Sequence, residues 1–250
     1  MVILKTAREI ALMREAGRIS QRALQLAGRA VEPGVSTLEL DTMIRSYIEK
    51  EGATPSFLGY GGFPASACIS VNNVVIHGIP SAKQILKEGD IVSIDVGAKL
   101  NGYHGDNAWT FPCGRISREA QELLDATKES LFEGIKNALA GNRIGDIGHA
   151  VQKYVEARSY SVVRDFVGHG VGAKLHEDPS VPNYGTPGRG VRLLPGMVIA
   201  IEPMVNMGTH KVRVLDDDWT TVTADGKLSA HFEHTIAVTS NGPVILTKPE

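Results

Sequence analysis

Five side chains that can bind metal ions lie in separate segments of this 250-residue chain. They are four carboxylates and one imidazole: Asp95, Asp106, His169, Glu202 and Glu233. Two of the carboxylates, Asp95 and Glu202, directly follow apolar runs that are typical of buried strands. A carboxylate is costly to bury there unless it is paired or binds a cation. An ordinary aspartate in a turn is the alternative for Asp95 taken alone.

Asp106 favours the cation-binding interpretation. A two-residue turn at Asn101 and Gly102, a strong hairpin signal, would place Asp95 opposite Ala108. Asp106 then shares the sheet face of Asp95, with the two β-carbons within about 7–8 Å. Two carboxylates so close repel each other unless one is protonated. Two cations about 3.5–4 Å apart would also resolve the conflict.

The other three residues complete a ligand set. His169 lies in the segment GHGVG, where glycines let an imidazole approach closely, although Gly-His-Gly alone is weak evidence. Glu233 lies in HFEHT, and strand alternation places His231 on its face. Four carboxylates match the charge of two divalent cations. Oxygen-rich ligation without sulfur favours manganese- or iron-like ions over structural zinc. The residues therefore predict a two-metal hydrolase.

The elements that must position these residues can be predicted from capping and hydrophobic patterns. Thr6 with Glu9, and Ser36 with Glu39, form capping boxes that begin two helices. Strand patterns bounded by turn residues mark the rest of the chain. The further expectations are a glycine-rich loop at 59–64, short strands within 67–80, a hairpin of 91–100 and 103–110, and helices over 117–139 and 144–158.

The chain repeats itself after 107 positions. This shift places Gly34 on Gly141 and, without a gap, Asp95 on Glu202. We interpret the unbroken register as an internal duplication with halves of about 1–112 and 113–250. The prediction is one α+β catalytic domain over 1–250, with pseudo-twofold halves, antiparallel sheets inside and helices outside.

Composition narrows the function classes. Apolar residues make up 42%, charged residues 22%, and the formal net charge is −2, so neither nucleic acid nor a membrane is an expected partner. Only two cysteines occur, Cys68 and Cys113, which favours a reducing compartment. Neither a signal-peptide pattern nor an apolar run of about 18 residues is present. The expected location is the cytoplasm.

Taken in order, the motifs resemble those of a known family. They are FLGYGGFPASACISVNNVVIHGIP at 57–80, IDVGA and GYHGD around the hairpin, GHGVG with HED, LLPGMVIAIEP, and SAHFEHT. The chain resembles the pita-bread (creatinase/aminopeptidase) metallopeptidases, and within them the compact bacterial form of type I methionine aminopeptidase. The resemblance implies removal of the initiator methionine from nascent proteins and peptides. It also implies two divalent ions (manganese, iron or cobalt), with a bridging water or hydroxide as nucleophile.

The resemblance assigns each metal ligand a role. Asp95 would bind one ion through both oxygens, and Asp106 and Glu233 would bridge the two ions. His169 and Glu202 would complete the second ion, with Glu202 also acting as a proton shuttle.

Further residues match family positions outside the metal ligands. His176 would contact the scissile amide, and His77 would hold the peptide on the leaving side. The methionine pocket would comprise Phe57, Tyr60, Phe63, Cys68 and Trp219, for each of which the sequence alone favours ordinary core packing. Family members often carry cysteine at Phe57 and glutamine at His231. A sodium or potassium site would comprise Asn72, Val74 and Ser229.

The resemblance also implies partners and leaves alternatives open. The partners would be nascent polypeptides and peptides with N-terminal methionine, with transient ribosome association, and the chain would be a monomer. An X-Pro peptidase shares the fold and the five ligands but usually carries an additional N-terminal domain. A catalytically inactive pita-bread protein is the third reading, although such relatives lose metal ligands.

Overall fold

The computed structural model describes residues 1–249 and contains four long helices. Both predicted capping boxes are present, with the Thr6 and Ser36 side chains accepting from the N3 amides. The third and fourth helices begin as expected but end two to three residues earlier than predicted. The helices are α1 Ala7–Arg29, α2 Thr37–Lys50, α3 Arg118–Lys136 and α4 Ile144–Glu156.

The strands pair in an antiparallel manner throughout. A short 3₁₀ turn, Tyr60–Gly62, lies within the predicted glycine-rich loop. The strands are β1 Thr54–Pro55, β2 Ala67–Val71, β3 Val74–Ile76, β4 Ile91–Leu100, β5 Tyr103–Pro112, β6 Ser161–Val162, β7 Gly168–Gly170, β8 Glu177–Val181, β9 Val198–Ile201, β10 Met204–Asn206, β11 Val212–Val214, β12 Thr221–Thr223, β13 Ser229–His231, β14 His234–Thr239 and β15 Gly242–Ile245.

The hairpin of β4 and β5, here called the first ladder, has the predicted register. Asn101 and Gly102 take φ values of 51° and 85°, as a type I′ turn requires at both central positions. Asp95 therefore pairs with Ala108, and Asp106 pairs with Gly97. The two-residue turn specifies this alignment, and a one-residue slip would move every side chain to the other face.

A second ladder repeats this hairpin without its turn. It consists of β9 and β10 on one side and β13 and β14 on the other. Ile201 pairs with His234 and Met204 pairs with His231, with two residues between the pairs on each side. The second ladder therefore places Glu202 opposite Glu233, as the first places Asp95 opposite Ala108.

The duplication extends to single hydrogen bonds. The Gly34 amide donates to the Leu86 carbonyl at 2.9 Å, and the Gly141 amide donates to the Leu193 carbonyl at the same distance. The two glycines have φ values of 97° and 98°, which an L side chain rarely adopts. The 107-position repeat is thus present in the backbone as well as in the sequence.

The helices cover the outer faces of the sheets. Helices α1 and α2 pack on the first half through buried residues such as Leu24, Ile44 and Ile94. Helices α3 and α4 pack on the second half through residues such as Leu131 and Ile147. The ladders therefore meet at the centre of the molecule. Among residues 1–249, no helix has the length and apolar character needed to cross a membrane.

Candidate metal centre and active site

The predicted ligands converge where the two ladders meet. Asp106, His169 and Glu233 each offer one ligand atom, and these atoms lie within 4.8 Å of one another. His169 Nε2 is 3.5 Å from Glu202 Oε1 and 3.9 Å from Asp106 Oδ2. Asp95 lines the same cavity. Residues from five separate segments thus surround one small space.

The predicted ligands are held in position by strands, because each of them lies within a strand or directly next to one. Asp95 lies inside β4, and Asp106 lies inside β5. His169 is the middle residue of β7, which pairs with β9. Glu202 directly follows β9, and Glu233 occupies the break between β13 and β14. The irregular backbone after β9 and before β14 turns both glutamates inward.

Burial gives these carboxyl groups unusual pKa values. Burial raises the pKa of Asp106 from about 4 to about 7. Burial, and then the charges of neighbouring carboxylates, raise the pKa values of Asp95, Glu202 and Glu233 well above their ordinary range. Four anions at this site are therefore unfavourable without compensating positive charge.

Within residues 1–249, three carboxylate oxygen atoms of the site lack a hydrogen-bond partner, which indicates whether cations could bind there. Asp95 Oδ1, Asp106 Oδ1 and Glu233 Oε1 are buried and lack a hydrogen-bond partner within the described residues. Buried polar atoms are normally paired, so each such oxygen calls for a partner that protein groups do not provide. Oxygen ligands of this kind suit hard or borderline divalent cations. The residues present therefore fit divalent metal ions.

His169 is oriented to bind through Nε2. Its Nδ1 lies 2.9 Å from the Gly170 carbonyl oxygen. Burial, with a smaller effect of His176, lowers the pKa of His169 to about 3, so the ring is neutral at pH 7. A neutral ring whose Nδ1–H donates to the carbonyl directs the Nε2 lone pair toward the carboxylates.

The ligands open onto a cavity of about 210 Å³. The five predicted pocket residues all line it, and Phe63 and Trp219 meet edge-to-face with centroids 5.1 Å apart. Burial and the nearby Asp95 raise the pKa of the Cys68 thiol, so it is a neutral, apolar surface. The lining residues are Phe57, Tyr60, Phe63, Cys68, Ile76, His77, Asp95, Asp106, Phe166, Val167, His169, Leu175, His176, Glu202, Trp219 and Glu233.

Two histidines stand between the ligands and the apolar wall. The His176 ring is 4.0 Å from that of His169, and its Nδ1 lies 2.8 Å from the Tyr60 hydroxyl. His77 adopts a left-handed φ of 58°, and burial lowers its pKa to about 4. Both rings line the cavity.

The sequence motifs did not predict four of the lining residues: Ile76, Phe166, Val167 and Leu175. Phe166 packs edge-to-face on His77 with centroids 5.6 Å apart. Its position three residues before His169 was the available signal, because that segment must enter the site.

Asn72 and Ser229, two of the residues predicted for a sodium or potassium site, are in contact. The Ser229 amide donates to the Asn72 carbonyl at 2.9 Å. The Asn72 side chain binds Asp90 and the Ile91 amide, so it is already occupied. Val74 begins β3 two residues further on. Backbone carbonyl groups are therefore the oxygen donors that this segment can offer a cation.

His104 and His234 each have a local hydrogen-bond partner. His104 Nδ1 lies 2.8 Å from the Ser56 hydroxyl, and His234 Nδ1 lies 2.9 Å from the Thr247 hydroxyl. Neither side chain lines the cavity.

A neutral imidazole and buried carboxylates between two duplicated antiparallel ladders define a metallopeptidase of pita-bread architecture. Residues 11–240 match the model of metallopeptidase family M24, and the chain belongs to this family. A methionine aminopeptidase of Clostridium perfringens (strain 13 / Type A) is 60% identical over 247 residues, with 99% of each chain covered. Methionine aminopeptidase 1 of Bacillus subtilis (strain 168) is 56% identical over 248 residues, covering 99% of this chain and 100% of that one. The crystal structure of methionine aminopeptidase from Thermotoga maritima matches with a TM-score of 0.98 at 46% identity, and both chains are covered completely.

Proposed function

We propose that this chain is a metal-dependent aminopeptidase that removes N-terminal methionine from nascent proteins and peptides. The observation that carries the proposal is the buried carboxylate cluster at the base of an apolar cavity. Its aromatic walls and neutral thiol suit a thioether side chain. The printed names of the similar proteins support the same activity.

Five residues would hold two divalent ions: Asp95, Asp106, His169, Glu202 and Glu233. Three of them, Asp106, His169 and Glu233, already place one ligand atom each within 4.8 Å of one another. Manganese, iron or cobalt would suit this donor set. When bound, the ions supply a nucleophilic water and stabilise negative charge on the carbonyl oxygen. Each half of the chain contributes ligands, so we propose that 1–250 acts as one catalytic unit.

The chain's own residues would orient the peptide and move protons. Glu202 has one oxygen beside His169 and would carry a proton from the attacking water to the leaving amine. His176, hydrogen-bonded to Tyr60, would contact the scissile amide. His77 would hold the leaving side of the peptide, with Phe166 and Trp219 packed on its ring.

A sodium or potassium ion held by carbonyl groups of Asn72, Val74 and Ser229 would brace β3 against β13. We further propose that the protein is a cytoplasmic monomer that associates transiently with the ribosome. Its two buried cysteines are free, which supports a reducing compartment.

The decisive experiment is hydrolysis of Met-Ala-Ser by metal-free protein reconstituted anaerobically with two equivalents of Mn²⁺. We expect release of methionine from Met-Ala-Ser, with none from N-acetyl-Met-Ala-Ser or Gly-Pro. Asp106→Asn should lower kcat/KM by more than about 100-fold. Asp125→Asn, which changes an exposed carboxylate on α3, is the matched control and should retain activity.

Cleavage of Gly-Pro in preference to Met-Ala-Ser would indicate an X-Pro peptidase. A folded protein that binds manganese but cleaves neither peptide would indicate a catalytically inactive family member. Either outcome would overturn the proposal.

A further inference from the structure

His231 occupies the place in the second ladder that Asp106 occupies in the first. In the first ladder, Asp95 lies opposite Ala108, and two residues further along β4 Gly97 pairs with Asp106. In the second ladder, Glu202 lies opposite Glu233, and two residues beyond Glu202 Met204 pairs with His231. The duplication therefore directs the His231 side chain toward the metal centre from the opposite side.

Two threonines confirm this equivalence. The Thr235 hydroxyl accepts from the Asp106 amide at 3.1 Å and donates to the Asp106 carbonyl at 2.7 Å. The Thr110 hydroxyl accepts from the His231 amide at 3.0 Å and donates to the His231 carbonyl at 2.8 Å. Each threonine thus fixes the backbone of the counterpart residue on the other ladder.

The surroundings of His231 point to a single partner. The side chain is 2% exposed, and its Nε2 has no hydrogen-bond partner anywhere in residues 1–249. Glu202 Oε2 lies 3.6 Å from this nitrogen, slightly beyond hydrogen-bond distance. The other oxygen of Glu202 lies 3.5 Å from His169 Nε2. The Glu202 carboxylate is therefore set between two imidazoles.

We propose that His231 is a positioning residue whose Nε2–H holds Oε2 of Glu202 and keeps Oε1 directed at the metal ions. This inference rests on the proposed function, since it assigns Glu202 to the metal centre. An ionised carboxylate needs a donor for the oxygen that faces away from the metal. An imidazole supplies that donor without adding a fifth negative charge to the site.

Replacing His231 by glutamine or by asparagine distinguishes a hydrogen-bonding role of Nε2 from a role in packing. The amide nitrogen of glutamine in His231→Gln reaches the place of Nε2, whereas that of asparagine in His231→Asn stops near Nδ1. We expect His231→Gln to bind two Mn²⁺ per chain, by calorimetry on the metal-free protein, within about threefold of wild-type affinity. His231→Asn should bind one of the two ions about 10- to 100-fold more weakly. Its kcat for Met-Ala-Ser should fall while KM changes little.

The control is His149→Asn, which alters a histidine on α4 away from the ladders and should change neither quantity. Thermal unfolding of each variant would establish that it is folded. Wild-type manganese affinity and kcat in His231→Asn would overturn the role of His231, as would an equal impairment in His231→Gln. Failure of the wild-type protein to bind manganese would overturn the proposed function as well, so the two failures are distinguishable.

Discussion

Thr235 binds both backbone polar groups of Asp106 through a single hydroxyl. The two residues are 129 positions apart, so the contact joins the two ladders directly at the metal centre. Because the hydroxyl is fully buried, neither backbone group of Asp106 has water as an alternative partner.

Thr235→Val should destabilise the protein by about 1–3 kcal/mol, because it preserves the side-chain shape while leaving buried polar groups unpaired. Urea unfolding would measure this change. Thr235→Ser keeps the hydroxyl and should lose less stability. Equal losses in the two variants would show that the methyl packing of Thr235 matters instead of its hydrogen bonds.

The metal-free protein should become less stable as pH rises from 6.5 to 8.5. Burial raises the pKa of Asp106 to about 7, so the folded state retains a proton that the unfolded chain has released above about pH 4. That contribution to stability is lost as pH rises through 7. His169 and His231, with folded pKa values of about 3, oppose this trend only near its lower end, because histidines of the unfolded chain finish releasing their protons just above their ordinary pKa of about 6.5.

The expected loss from Asp106 is about 1 kcal/mol across this window, measured by urea unfolding at each pH. Saturating Mn²⁺ should remove or reverse the trend, because the metal binds the deprotonated carboxylates. Asp106→Asn should make the pH dependence shallower without abolishing it, because burial also raises the pKa values of Asp95, Glu202 and Glu233. A metal-free stability that rises between pH 6.5 and 8.5 would contradict the assignment.

Lys5 and Glu177 form a buried ion pair at 2.5 Å, with side chains 3% and 7% exposed. Glu177 directly follows His176, so the pair anchors the segment that carries this histidine. Lys5→Met leaves a buried carboxylate without its partner and should cost about 3–5 kcal/mol. The double variant Lys5→Met, Glu177→Gln should recover most of that loss.

The exposed pair of Arg45 and Glu49 on α2 is the matched control. Arg45→Met should cost less than about 1 kcal/mol, because solvent already screens that pair. Denaturant unfolding of the three variants gives the comparison. A Lys5→Met loss no larger than that of Arg45→Met would exclude an anchoring role.

Features of the fold that depend on neighbouring residues, such as turns and helix caps, could be predicted from the sequence. The turn at Asn101 and Gly102 determined which face Asp106 shares with Asp95, and the structure has that register. The 107-position shift likewise anticipated the equivalence of Asp95 and Glu202. Local capping patterns set where α1 and α2 begin.

Contacts between distant segments could not be anticipated in the same way. The hydrogen bonds of Thr110 and Thr235 depend on how one ladder packs against the other. Phe166 enters the cavity because of the path of the chain before β7, and no periodicity marks that path. Alternation alone gave the face of His231, whereas its partner Glu202 became visible only in the folded chain.

Tyr60 should affect turnover through His176 more than it affects binding. Its hydroxyl lies 2.8 Å from His176 Nδ1, and an O–H donated to Nδ1 leaves an Nε2–H to face the substrate. Tyr60→Phe keeps the aromatic wall but frees the imidazole to rotate or change tautomer. We expect kcat for Met-Ala-Ser to fall by about tenfold or more, with little change in KM.

The matched control is Tyr103→Phe, which removes a hydroxyl bonded to Glu9 at 2.8 Å, away from the cavity. It should leave kcat unchanged, because Glu9 caps α1 and does not line the cavity. Steady-state kinetics on both variants separates the two effects. A Tyr60→Phe enzyme with raised KM and normal kcat would assign Tyr60 to the methionine pocket alone, because orientation of His176 can slow the reaction only after the peptide is bound.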